Sequence, residues 1–346
     1  MYNISTINNS RLNSSYEEPR GSFVLRMLLL TLVLLVAVFG NIVVIRAVYK
    51  FSFGHKPLTY TLVLNLAVGE LLNVILMPFI LVYEQTMDWI FGEFLCKIIN
   101  PLQIMCLTNV TVTLAAIAVY RWRVFTSPKT RTVSPLKTKL LIGSFWLVGV
   151  TLAVPLLWLR DLTPRGDGRM RCSSWKTYDY RGVYAIVHNV VSYYVPFVLI
   201  FAAYARVGLS LQKHVNSTKL DSYHHSQLPQ APTTPTGPSS PQPCGYRESI
   251  QLTEAKTKPK EQGIIRMMYI IVFSFVICYI PYQLYFILNH VGIWKKWKFG
   301  IIAAGYFQWL MLLPSALHPI IYGTKSKIFA IDFSSLIFNL CKSCKY

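Results

Sequence analysis

Phe23-Val-Leu-Arg-Met-Leu-Leu-Leu-Thr-Leu-Val-Leu-Leu-Val-Ala-Val-Phe-Gly-Asn-Ile-Val-Val-Ile-Arg-Ala-Val-Tyr49 is apolar over almost its whole length. A helix rises about 1.5 Å per residue, so roughly 20 residues cross about 30 Å of hydrocarbon. Six more stretches of this kind follow: Leu58–Tyr83, Leu95–Val119, Leu140–Trp158, Val183–Tyr204, Ile264–Leu288 and Phe299–Tyr322. In lipid, each backbone N–H and C=O needs an internal partner, so such segments must be helical. The pattern predicts an all-α membrane protein, a seven-transmembrane helix bundle, and excludes most soluble enzymes, DNA-binding proteins and secreted domains.

Composition agrees. Of 346 residues, 53% are hydrophobic, and seven spans consume nearly all of the length. The net charge of +20 would suggest nucleic acid in a soluble protein. In a membrane protein, Lys and Arg collect in cytoplasmic loops and face anionic lipid, so no nucleic-acid partner is expected. No cofactor or metal motif is visible: there is no HExxH, P-loop or dinucleotide fingerprint, and no enzyme is expected.

Residues 1–22 are polar and lack a cleavage site behind the first apolar run, which is expected to act as signal and anchor. Three acceptor sequons, at Asn3, Asn8 and Asn13, predict a glycosylated, extracellular N-terminus. Two further triplets, at Asn109 and Asn216, would then be silent, one in a span and one in the cytoplasm. Seven crossings put the C-terminus inside. Arg46, Lys50 and Lys56 after the first span agree, although Arg165, Arg169, Arg171 and Lys176 dilute the positive-inside signal. The receptor domain is expected over 23–324. Within it, about 213–260 is Pro-, Ser- and Thr-rich and is expected to be a disordered cytoplasmic loop, a flexible linker or a docking and phosphorylation site. Residues 325–346 read as an amphipathic helix and short tail, with Ile328, Ile331, Leu336 and Leu340 near helical spacing. Cys341 and Cys344 beside it are either palmitoylated or reduced thiols.

Polar residues inside spans are expensive and tend to mark function. Gly40-Asn41 lies in span one and Asn65-Leu-Ala-Val-Gly-Glu70 in span two. Trp89-Ile-Phe-Gly92 precedes Cys96, Tyr120-Arg121-Trp122 ends span three, and Trp146 lies in span four. Pro196 and Tyr204 mark span five, Cys278-Tyr-Ile-Pro281 span six, and His318-Pro-Ile-Ile-Tyr322 span seven. In order and spacing this set resembles a rhodopsin-like (class A) G-protein-coupled receptor, over about residues 23–340.

The resemblance implies a plasma-membrane receptor coupled to a heterotrimeric G protein, with arrestin and receptor kinases as further partners and lipid around it. It implies a disulfide between Cys96 and Cys172. It also implies an activation switch through Tyr120, Arg121, Lys129, Tyr204, Glu261, Tyr279, Pro281, His318, Pro319 and Tyr322. Several of these depart from the family pattern. Tyr120 replaces the usual acid beside Arg121, and Glu261 is the expected substitute partner; the alternative is a lipid-facing or solvated Arg121. Lys129 replaces a bulky apolar residue of the G-protein contact. Tyr279 replaces the commoner Trp before Ile280-Pro281. Glu70 and His318 replace the Asp and Asn that help hold sodium, and Val110 stands where a hydroxyl residue is usual. A direct, titratable Glu70–His318 pair is expected in place of the sodium site.

Gln103 stands seven residues after Cys96, where amine receptors of the family carry Asp. This suits peptide-type members, of the neuropeptide Y, tachykinin and orexin kind. Glu84, Gln103, His188, Tyr282, Gln283, Phe286, Asn289 and Gln308 are the expected ligand contacts, with helix packing the alternative for each. The basic outer loops favour a ligand with acidic groups by long-range attraction. Two rivals remain: an atypical, weakly coupled receptor that binds ligand or modulates a partner, and a transporter or channel, which would need internal repeats that are not seen.

Overall fold

The computed structural model describes residues 18–50, 58–126, 133–174, 179–210, 267–288, 299–325, 330–331 and 334–335. Asn3, Asn8, Asn13, Lys129, the 213–260 loop, Glu261, Asn289, Cys341, Cys344 and most of the 325–346 segment lie outside these residues. Seven long helices are described: α1 (Arg20–Lys50), α2 (Leu58–Thr86), α3 (Gly92–Thr126), α4 (Pro135–Leu159), α5 (Asp179–Asn189 and on through Ile186–Ser210), α6 (Met267–Leu288) and α7 (Gly300–Lys325). Six of them are long and apolar enough to cross a membrane. The seventh, α7, carries Gln308, Pro314, His318 and Pro319 and packs along α1 and α2.

Helices overrun the apolar windows by several residues at most ends, because their last turns are polar. At the start of α4, Ser134 accepts a hydrogen bond from the Lys137 N–H and Pro135 fills the first helical position, where a missing N–H costs nothing. In α5, Pro196 has no N–H to continue the ladder, and the preceding turn, Val190–Tyr194, widens to a π-turn with Val195 N–H bonded to Val190 O. Thr108 and Ser192 hydroxyls, 2.8 Å apart, tie that turn to α3.

The packing is inverted relative to a soluble protein. Leu28, Leu35, Leu147, Phe201 and Phe273 point outward and are exposed, whereas Asn41, Asn65, Glu70, Asn73, Asn109 and His318 are buried. Lipid tails supply no hydrophobic drive between helices, so small residues and hydrogen bonds hold them. Gly40 lets α7 approach α1: a Cβ there would lie 2.5 Å from Pro319 Cβ. Asn41 Nδ2, beside it, donates to Ser315 O at 3.0 Å. Asn65 joins three helices. Its Nδ2 donates to Asn109 Oδ1 (2.9 Å) and Thr113 Oγ1 (2.7 Å), and its Oδ1 accepts from Trp146 Nε1 (2.9 Å). Asn109, a sequon by sequence, is fully buried in α3.

One element lies outside the all-helical expectation. The chain after α4 forms an antiparallel hairpin, β1 (Arg160–Pro164) and β2 (Met170–Ser174), with Leu162 opposite Cys172. Its turn uses Gly168 at φ +81°, a conformation glycine adopts without strain. Cys172 is bonded to Cys96 at the start of α3, with Cα atoms 5.6 Å apart. Trp89 packs on this bridge in a cluster with Ile99, Tyr83 and Phe91. The Met170 N–H donates to Asp88 Oδ1 at 2.8 Å, and the Trp89 N–H to Met170 O at 2.9 Å.

Candidate functional site

At the hairpin end of the bundle the helices enclose a cavity of about 330 Å³. Glu84, Gln103, His188, Tyr282, Gln283, Phe286 and Gln308 all line it, brought together from α2, α3, α5, α6 and α7. Gln308 Nε2 donates to Glu84 Oε1 at 3.1 Å. Gln103 Nε2 points at Met77 Sδ, 3.0 Å away. Gln283 is 5% exposed, and among the described residues neither its Oε1 nor His188 Nε2 has a hydrogen-bond partner. Buried polar atoms left unpaired are costly, so these are positions where a ligand or water would pair.

Further wall residues escaped the sequence reading: Asn100, Ile104, Leu107, Tyr184, Leu156 and Met311. A signal for three of them was present. Asn100, Gln103, Ile104 and Leu107 recur at i, i+3, i+4 and i+7, one face of α3. Tyr184 stands one turn before His188, with rings stacked 6.2 Å apart.

The floor of the cavity is aromatic. His188 meets Tyr193 edge-on at 5.8 Å, Tyr193 lies 5.9 Å from Tyr279, and Tyr279 lies 4.0 Å from Phe275. Tyr279 sits two residues before Pro281 and is 4% exposed. The rings therefore run without a gap from the cavity wall into the middle of α6.

Below them lies the polar centre. His318 Nδ1 is 2.5 Å from Glu70 Oε1, and His318 Nε2 is 3.2 Å from Ile271 O on α6. The side chains are 0% and 2% exposed. Three helices, α2, α6 and α7, thus meet on one imidazole. Val110, near Gly69 on α2, offers no oxygen to this centre.

At the opposite end, Arg121 Nη2 donates to Thr59 Oγ1 on α2 at 3.2 Å, and its guanidinium lies 5.9 Å from the Tyr120 ring. Tyr204 on α5 packs on Tyr269 of α6 at 4.5 Å, with its hydroxyl 3.5 Å from Met268 O. Tyr322 is buried at 1% exposure in the same core. Arg121 and Gln103 lie 18 residues apart on α3, about 27 Å along the helix.

A second polar group closes the hairpin end. Arg26, buried in α1, is held by Glu18: its Nη2 lies 2.5 Å from Oε2 and its Nε 3.3 Å from Oε1. Arg26 packs against Gly305 of α7, where a Cβ would lie 3.0 Å from the guanidinium. Ser22 and Tyr306 hydroxyls, 2.9 Å apart, add a second link. The hydrogen bond from Arg26 is the largest cause holding the Glu18 carboxyl below its ordinary range. No motif pointed to Arg26, which reads as one charge in an apolar run.

Comparison with known proteins fits this geometry. The chain is 26% identical over 331 residues to the neuromedin-K receptor of Oryctolagus cuniculus, covering 94% of this chain and 63% of that protein. The human neuromedin-K receptor matches equally over 94% of this chain and 64% of its own length. The chain therefore spans under two thirds of these relatives. Human 5-hydroxytryptamine receptor 1B is 24% identical over 347 residues, 92% of this chain and 87% of that protein. The model of the 7 transmembrane receptor (rhodopsin) family matches residues 40–322, a range that takes in Asn41, Glu70, Arg121, Pro281 and the His318–Tyr322 motif, and the chain belongs to that family.

Proposed function

We propose that this chain is a plasma-membrane receptor that binds an extracellular peptide in the hairpin-end cavity and drives GDP release from a heterotrimeric G protein at the Arg121 end. The observation that carries this reading is the set of contacts that joins the cavity to α6: Tyr193 on Tyr279, Tyr279 on Phe275 and, one turn further along α6, Ile271 O against His318. A ligand that displaces Tyr279 acts on α6 directly, and α6 contacts both the polar centre and Tyr204. Packed helices with two arrangements convert such small shifts into rigid-body motion. Gln103, where amine receptors of the family carry Asp, and the neuromedin-K relatives favour a peptide over an amine.

On this reading the hairpin faces outside, Asn3, Asn8 and Asn13 carry glycans, and Cys341 and Cys344 are acylated. Arrestin and receptor kinases share the inner face with the G protein, and the protein itself catalyses no covalent chemistry. Peptide-library screening on expressing cells, followed by GDP release from purified Gα, tests it. Ligand-dependent release supports the assignment; a folded receptor that never promotes release from any Gα sinks it.

A second reading rests on Tyr120. Tyr120 stands where the family carries an acid, and Arg121 donates to Thr59; on this second reading the chain is an atypical, weakly coupled receptor that binds ligand or modulates a partner receptor. Saturable peptide binding without nucleotide exchange would select it.

A further inference from the structure

The ligand-facing carboxylate stands on α2 rather than α3, at Glu84. Its hydrogen bond from Gln308 supplies a dipole but no charge. The guanidinium within Coulomb reach, Arg26, is already held by Glu18 at 2.5 Å. Among the described residues that line the cavity, Glu84 is the one carboxylate, and none is Lys or Arg. On α6, Gln283 Oε1 is a buried acceptor without a partner among the described residues. Both groups ask for donors, and one of them asks for a positive charge.

We propose that the cavity takes the end of a peptide through a cationic group, an ammonium or guanidinium, paired with Glu84, with an adjacent N–H donated to Gln283 Oε1. This rests on the peptide-receptor reading and names the chemistry of its ligand. A cavity of about 330 Å³ is at the small end of ligand pockets, roughly 300–1,000 Å³, and suits the terminal residues of a peptide. The exposed Arg169 and Arg171 of the hairpin repel such a ligand at a distance. That repulsion is screened over about 8 Å at physiological salt, so it slows encounter while the contact with Glu84 decides affinity. The attraction of the outer loops for acidic ligands is thus confined to approach.

The test uses the full-length receptor in lipid nanodiscs, with empty nanodiscs as blank, and matched sets of tetrapeptide amides. One set carries a single cation, as a free N-terminus, Lys or Arg. A second replaces it by N-acetylation, norleucine or citrulline, and a third carries Asp or Glu. Retained peptides are read by mass spectrometry. The unaltered receptor is expected to enrich cationic over matched neutral peptides by at least about tenfold. The acetylated, norleucine and citrulline arms distinguish a terminal amine from a side chain. Glu84→Gln, with its melting curve as fold control, is expected to abolish the enrichment, and Glu84→Lys to transfer it to the acidic set. Retention of neutral or acidic peptides by the unaltered receptor overturns the proposal and leaves a peptide receptor standing. Retention of no peptide from any set overturns both.

Discussion

His318 Nδ1 lies 2.5 Å from Glu70 Oε1, and the other nitrogen of the same ring lies 3.2 Å from the Ile271 carbonyl. Both nitrogens face oxygens, so the imidazole is held from two sides. The side chain thereby fastens α6 and α7 to α2 at mid-membrane, and α6 leaves its place only by giving up the Ile271 contact.

Removing one member strands the other away from solvent. Glu70→Leu and His318→Leu should each destabilise the receptor by about 3–5 kcal/mol, whereas the double substitution should recover much of the loss. Thermal unfolding in detergent measures this; singles no worse than the double would show that the pair is not coupled.

Sodium should not alter agonist affinity. Glu70 already spends one oxygen on His318, and Val110 offers none. Ligand competition at equal ionic strength in sodium and N-methylglucamine buffers checks this, and a clear shift in sodium would refute it.

Freeing Arg121 should raise signalling without ligand. Thr59→Ala removes the hydrogen bond at 3.2 Å, and Glu261→Ala removes the partner expected from sequence. A hydrogen bond worth about 1 kcal/mol corresponds to roughly fivefold in an equilibrium, so each variant should increase basal nucleotide exchange about two- to fivefold. Unchanged basal exchange in both would remove the case for a lock at this end.

Stability should fall in acid through Glu18. Its carboxyl titrates below the ordinary range, because the Arg26 hydrogen bond outweighs partial burial and the Ser22 hydroxyl and Arg26 charge add to it. A lowered folded-state value means the contribution is complete above the unfolded value, about 4.3, and is lost as pH drops through the folded one. Melting temperature against pH should therefore decline more shallowly below about pH 4.3 in Glu18→Gln than in the parent. Parallel acid limbs would contradict the assignment.

Two glycines should respond oppositely to the same change. A Cβ at Gly40 would meet Pro319 at 2.5 Å, while one at Gly143 in α4 meets nothing within 4 Å. Gly40→Ala should cost about 1–3 kcal/mol by overpacking, and Gly143→Ala should add up to about 1 kcal/mol through helix propensity. Equal melting shifts would mean that α1 and α7 are not in close contact.

The order of amino acids alone determined the helical bundle. Hydrocarbon leaves backbone groups no partner but their own helix, and that constraint is written in the length of each apolar run. Seven of the eight residues expected to contact ligand, from Glu84 to Gln308, line the cavity, and six of them are polar side chains that stand out inside an apolar run. Asn289 lies outside the described residues. What only the tertiary structure decided is which polar groups meet. Arg26 finds Glu18, Asn65 gathers Asn109, Thr113 and Trp146, and His318 reaches Ile271 O. Lipid penalises every unpaired group alike, so it demands partners without naming them. The rotation of each helix, set by close approaches such as Gly40 on Pro319, selects them. The hairpin escaped for a related reason: β1 and β2 pair beside a disulfide anchored on α3, a support that no local pattern in residues 160–174 reveals.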